Sequence, residues 1–269
     1  VFRFVVPAIL AGNSTLVKHA PNVQASAVAI EKIFHSAGLP KDIFRILMID
    51  IDIVPDIISD KKVKAVSLTG SEPAGSKVAE CSGKNLKKTV LELGGSDAFI
   101  VLDDASLSRC VDSAVKGRML NNGQSCIAAK RFIVHDDVYD SFLGMLKDSV
   151  ENLIVGDPML NETEVGPLAR EDILDKIKQQ VEKSIELGAN LVCGGEEMDR
   201  DGYYYLPTIL TNITKAMPVY NQETFGPVFS VFKCSDLEDM IKLANDTDFG
   251  LGGSVWSEDR DKALSIARK

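Results

Sequence analysis

Apolar runs and stretches of helical period take turns along the chain. Residues 14–19 (STLVKH) read as a strand ahead of Pro21. From Gln24 to Phe34 the apolar side chains return at helical spacing (Val23, Ala27, Ile30, Phe34), and Gly38 can close that helix in a left-handed conformation. Strand-like IFRILMI (43–49), a short helix containing IVPDII (53–58) and the strand KAVSLTG (64–70) follow. A helix is then expected from about Pro73, ahead of the strand TVLELGG (89–95). The pattern restarts with the strand DAFIVLDD (97–104), a helix over Leu107 to Leu120, the polar loop NNGQSC (121–126) and the strand KRFIVHD (130–136). Helices are expected over Val138 to Leu153 and Ile173 to Leu187, the latter carrying Ile173, Ile177, Val181 and Ile185 at a spacing of four. YYYLPTIL, VFSVFKC, LEDMIKLAN and GGSVWS continue the alternation.

Strands alternating with helices imply parallel sheets joined by crossovers, an α/β layer fold. At roughly 100–200 residues per domain, 269 residues accommodate two. The paired glycines of LGG at 93–95 are the sharpest break in the pattern, so a boundary is expected near Gly94–Ser96, giving domains 1–94 and 95–269.

Charge and composition narrow the function classes. A net charge of −9 argues against a general nucleic-acid binder, which needs a basic face. Hydrophobic residues at 45% and charged residues at 26% match an ordinary globular protein, and no apolar run reaches the roughly 18 residues of a membrane span. Five cysteines without a CxxC fit a reducing, cytoplasmic setting. Three histidines in no zinc-type spacing give no reason to expect a metal. The chain opens on Val1 without a signal-peptide pattern and stops inside the helical stretch RDKALSIARK. It reads as an internal piece of a longer protein.

Two residues stand out chemically. Cys126 lies in a loop among Gly123, Gln124 and Ser125, the kind of setting that displays a nucleophile; the competing reading is a small buried hydrophobe. Glu92 ends an otherwise apolar strand. A lone carboxylate buried there would hold a proton more tightly than in water, as a general base requires, and the carboxyl end of a parallel strand is where ligands bind. A salt bridge to Lys87 or Lys88 is the alternative. GSEPAGSK (70–77) misses the phosphate-binding GxxxxGK[ST] pattern by one position, about 100° around a helix. Its strand–turn–helix form still leaves a helix N-terminus able to hold a pyrophosphate near Gly70 and Ser71, or else an ordinary turn. Lys18 is either a ribose or phosphate contact or a surface lysine. ETFGPV (223–228) is either a carboxylate–aromatic site or an ordinary turn before a strand.

Taken together, LELGG (91–95), GQSC (123–126), ETFGPV (223–228), TGS (69–71) and NDTDFGL (245–251) resemble the aldehyde dehydrogenase superfamily in content, order and spacing. KHAPNV (18–23), LELGGSDAFIVLDDA (91–105) and CIAAKRFIV (126–134) are similar to its succinate-semialdehyde dehydrogenases. The resemblance implies a Rossmann-like cofactor-binding domain over 1–94, a catalytic α/β domain over 95–269 lacking its C-terminal part, and NAD or NADP as cofactor. It implies that Cys126 attacks an aldehyde and becomes a thioester, that Glu92 activates water to hydrolyse it, and that Glu223 bonds the nicotinamide ribose beside Phe225. Lys18 would contact the adenosine ribose, and Gly70 and Ser71 the pyrophosphate. Partners would be a small aldehyde and, in the full-length protein, further copies in a homo-oligomer.

Two departures qualify this. Many NAD-preferring members carry a glutamate three positions after the lysine; here that position is Pro21, which admits NADP. The family's oxyanion-hole asparagine would precede Val1, leaving the Cys126 N–H as the donor within this sequence. Some members hold a substrate carboxylate with an arginine shortly before the nucleophile. Here Leu120 and Asn121 lie nearest, with Arg118 slightly farther away. A CoA-acylating relative and an inactive cofactor-binding piece are the competing functions.

Overall fold

The computed structural model describes residues 1–269, which divide into two compact units, Val1–Leu93 and Gly94–Lys269. The first unit runs α1 (Val5–Leu10), β1 (Thr15–Val17), α2 (Gln24–Ser36), β2 (Phe44–Ile46), α3 (Val54–Ser59), β3 (Ala65–Thr69), α4 (Glu72–Lys84) and β4 (Lys88–Glu92). Its strands pair in parallel, β1 with β2 and β3 with β4, as two separate two-stranded ladders rather than one sheet. Strands of three residues, as in β1 and β2, carry too few ladder bonds to extend the pairing further.

The second unit holds β5 (Ala98–Val101), α5 (Leu107–Met119), β6 (Arg131–His135), α6 (Asp136–Glu151), α7 (Glu171–Glu186) and β7 (Asn190–Cys193). It continues with β8 (Thr208–Thr211), α8 (Pro218–Asn221), β9 (Val228–Cys234), α9 (Leu237–Asn245), β10 (Gly253–Trp256) and α10 (Arg260–Ala267). Six strands form one sheet in the order β10-β5-β6-β9-β8-β7. All neighbours are parallel except β7, which pairs antiparallel with β8 and carries an irregularity between Leu191 and Cys193. The expected all-parallel pattern is corrected there: a short antiparallel strand closes the sheet edge.

The central strands are buried on both faces, as runs such as AFIV and RFIVH require when helices cover both sides. Phe99, Phe132 and Phe229 lie on adjacent strands with ring centroids 5.3 Å apart in each successive pair, and they anchor the largest core cluster. The stripe of α7 buries Leu174, Ile177 and Val181 in a second cluster with Leu210 and Val228. Helix α6 starts at Asp136 because His135 accepts the Asp137 N–H as a cap and two aspartates occupy the positive first turn. No helix is long and apolar enough to cross a membrane.

Candidate active site

Four loops of the second unit reach the amino ends of neighbouring strands: 94–97 before β5, 120–130 before β6, 222–227 before β9 and Gly252 before β10. The strand register brings Ala98, Arg131 and Ser230 side by side, and the loops preceding them therefore meet. Cys126 sits in the second of these loops with its thiol half-buried and free. Just before it the backbone makes a left-handed turn, with φ of 54° at Asn121, 56° at Asn122 and 75° at Gly123. Asparagine tolerates this region better than other side chains, and both asparagine side chains are hydrogen-bonded, Asn121 locally and Asn122 to a distant loop. The Asn121 amide donates to the Gln124 carbonyl at 3.0 Å. Asn122 donates to Pro167 O at 3.1 Å and accepts the Gly166 N–H at 3.0 Å, and Gln124 accepts the Ala169 N–H at 2.9 Å. Gly123 lies against Gly226, where a Cβ would stand 2.2 Å from the Gly226 oxygen.

Gly95 closes the loop from another side. A Cβ there would lie 2.4 Å from the Cys126 carbonyl oxygen, a backbone atom with no flexible arm to move aside. Gly95→Ala is therefore expected to displace the Cys126 loop. It should cost about 1–3 kcal/mol of unfolding free energy. Denaturant unfolding measures the effect; a parent value would show that the close approach has no consequence.

Buried cations complete the brace. Arg118 is fully buried and donates to Thr224 O at 2.7 Å, Ala129 O at 3.3 Å, Gly123 O at 3.4 Å and Gly226 O. It ties the cysteine loop to the ETFGPV turn from the interior. Its two Nη groups are committed to backbone carbonyls, while Nε is buried without a partner; fully buried, it is not a receptor for a substrate carboxylate. Lys130, with its side chain 2% exposed, donates to Ser125 O at 3.0 Å and to Cys126 O and Ala128 O at 3.1 Å, and stands 3.6 Å from Glu223 Oε1. Burial, reinforced by the charge of Arg118 and opposed by Glu223 and Asp97, brings the Lys130 pKa down to about 8. Burial pushes the Asp97 carboxyl up, against the Gly252 N–H that donates to it at 3.0 Å.

Glu223 accepts the Gly95 N–H at 3.1 Å, and its own carbonyl accepts Gln180 Nε2 at 3.2 Å, which fixes the turn to α7. Phe225 is half-buried two residues on. The second unit thus gathers Cys126, Glu223 and Phe225 around shared braces.

In the first unit, Glu92 ends β4 opposite Thr69, and its carbonyl accepts the Gly70 N–H at 3.0 Å. The catalytic-base candidate and the TGS turn are therefore adjacent at the carboxyl end of the β3–β4 pair. Glu92 is not the isolated carboxylate that the apolar strand implies. Its side chain is 27% exposed and accepts Arg3 Nη1 at 3.1 Å, a partner 89 positions away, whereas Lys87 donates to the carbonyls of Ile58 and Asp60. Gly70 and Ser71 are exposed. Ser71 precedes α4 and makes no side-chain cap, so the Glu72 and Ala74 N–H groups are available to an anion; Pro73 has none, and the Gly75 N–H bonds Ser71 O. Lys18 follows β1, half-buried, with Nζ donating to His19 O at 2.7 Å. The first-turn amides of α4 and Lys18 are donors able to meet an anion, and the position three after the lysine is Pro21, which brings no carboxylate.

These features define an α/β protein with a cysteine loop braced on several sides by buried cations and backbone contacts. The chain belongs to the aldehyde dehydrogenase family, whose model matches residues 1–269. It is 49% identical over 268 residues to a Synechocystis sp. protein described as a probable succinate-semialdehyde dehydrogenase (NADP(+)), covering 100% of this chain and 59% of that protein. The fold matches that of succinic semialdehyde dehydrogenase from Streptococcus pyogenes in complex with NADP+, with a TM-score of 0.96 and 41% identity, over 99% of this chain and 58% of that one. It also matches lactaldehyde dehydrogenase from Escherichia coli, with a TM-score of 0.95 and 35% identity, over 99% and 56%. The chain thus spans a little over half the length of these relatives.

Lys130, Arg118 and Gln180 were not among the site residues expected from sequence. None of the three carried a local sequence signal that marked it.

Proposed function

We propose that the protein oxidises an aldehyde, with succinate semialdehyde or another short aldehyde as substrate, to the carboxylic acid with NADP or NAD. The observation that carries this is the half-buried Cys126 thiol on a braced loop beside Glu223, in a chain of this family. The Cys126 sulfur adds to the aldehyde carbon to give a thiohemiacetal, and the Cys126 N–H bonds the oxygen that becomes negative. The dinucleotide, when bound, accepts a hydride. Glu223 would hold the nicotinamide ribose with Phe225 beside it, and Lys18, Gly70 and Ser71 would hold the adenosine ribose and pyrophosphate. Glu92 takes a proton from water, which then cleaves the Cys126 thioester. In this reading 1–94 serves cofactor binding and 95–269 catalysis, within a cytoplasmic homo-oligomer. The NADP-named relatives and Pro21 favour NADP.

A panel of aldehydes against both cofactors tests this, with succinate semialdehyde and glyceraldehyde first. One reduced cofactor per acid, without added CoA, is expected. A requirement for CoA would replace hydrolysis with acyl transfer. Pro21→Glu should shift the preference from NADP toward NAD by at least about tenfold, because the new carboxylate repels a 2′-phosphate and can accept ribose hydroxyls. An unchanged ratio of kcat/KM values would remove Pro21 from cofactor selection.

A further inference from the structure

Lys130 spends an ammonium in a place where an apolar side chain of similar length would avoid the cost of desolvating a charge. Its three donors meet three carbonyls of one short loop, those of Ser125, Cys126 and Ala128. The Ser125 carbonyl also accepts the Ala128 N–H at 3.1 Å, so both of its lone pairs are engaged. The Ser125–Cys126 peptide is planar and trans, and in such a unit the N–H points opposite to the C=O. Holding the Ser125 oxygen toward the interior therefore turns the Cys126 N–H the other way. No acceptor of the second unit takes that N–H. Glu223, 3.6 Å from Lys130 and bonded to the Gly95 N–H, compensates the charge, and Gly95 in turn abuts the Cys126 carbonyl.

We propose that Lys130 is a positioning residue that aims the Cys126 N–H at the aldehyde oxygen by gripping the carbonyl on the far side of the same peptide. This rests on the reading of Cys126 as nucleophile. In the step concerned, the thiolate lone pair forms the S–C bond, the carbonyl π pair moves onto oxygen, and the oxyanion receives the Cys126 N–H. The thiol proton leaves to solvent beforehand. The ammonium also polarises the peptide it holds, which makes the N–H a better donor.

The test uses the full-length enzyme with Lys130→Met, and with Lys130→Gln, whose neutral amide still offers two donors. Iodoacetamide alkylates a thiolate without forming an oxyanion, so the rate for Cys126, corrected for thiolate fraction from its pH profile, should stay close to the parent's. Addition of succinate semialdehyde without cofactor, followed as protection of Cys126 from iodoacetamide, should require roughly 10- to 100-fold more aldehyde in Lys130→Met, below the loss for deleting an oxyanion donor outright. Lys130→Gln should fall between Lys130→Met and the parent. Equal slowing of alkylation and aldehyde addition would reduce Lys130 to a support of loop folding and overturn the proposal, as would parent behaviour in both. Hydride formation that survives Cys126→Ala would instead remove the nucleophile reading itself.

Discussion

Cys126→Ala should abolish hydride transfer, lowering the rate of NADPH formation by on the order of 10⁴- to 10⁶-fold, as expected when a covalent nucleophile is lost. The size follows from chemistry. Hydride leaves an aldehyde carbon readily only after a nucleophile has made it tetrahedral and placed negative charge on its oxygen. Among the residues of the 121–126 loop only Cys126 supplies a soft, ionisable atom. The fold should survive, because the loop is braced through its backbone. Lys130 holds the carbonyls of 125, 126 and 128, Arg118 those of 123 and 129, and the side chains of Asn122 and Gln124 engage 166–169; none of these contacts uses the thiol. Pre-steady-state NADPH formation reads the activity and thermal unfolding the fold. A variant that reduced cofactor at the parent rate would overturn the assignment of Cys126.

The elements were legible where a repeating pattern produced them. The stripe at 173, 177, 181 and 185 marked α7, whose observed span Glu171–Glu186 begins two residues earlier. YYYLPTIL yielded a strand only over Thr208–Thr211, since Pro207 has no N–H for the ladder. β7 left no signal, because NLVC is short and its pairing comes from β8. The chemistry divided in the same way. The small, polar neighbours of Cys126 raised it as a nucleophile candidate and left a buried hydrophobe as the competing reading. Lys130 could not be picked out, since its cup of carbonyls is lined by the turns of its own loop and closed by Glu223 and Gly95, which the strand register brings beside it. Arg118 was near the nucleophile in sequence with nothing to say where its side chain lies, and it is interior. Glu92 looked isolated because Arg3, its partner, is remote in sequence.

The Arg3 contact bears on the second large effect. Glu92→Gln should leave a burst of about one NADPH per Cys126 at near the parent rate and slow the following turnover by roughly 10²- to 10⁴-fold, the range of general base catalysis. Acylation of Cys126 and hydride loss need no proton taken from water, whereas hydrolysis of the thioester does, and an amide cannot accept that proton. Glutamine preserves the shape of the side chain. Arg3 is 65% exposed, so water can replace what it loses, and the change in stability should stay within about 0.5 kcal/mol. The acyl group should then be trapped on Cys126, visible as an added acyl mass on the intact protein. Hydroxylamine, which attacks thioesters without help from a base, should release the acyl group as a hydroxamate and free the Cys126 thiol when added after unreacted aldehyde has been removed. If burst and turnover fall together, with no acyl group held on Cys126, Glu92 acts before the thioester forms and the hydrolytic role is lost.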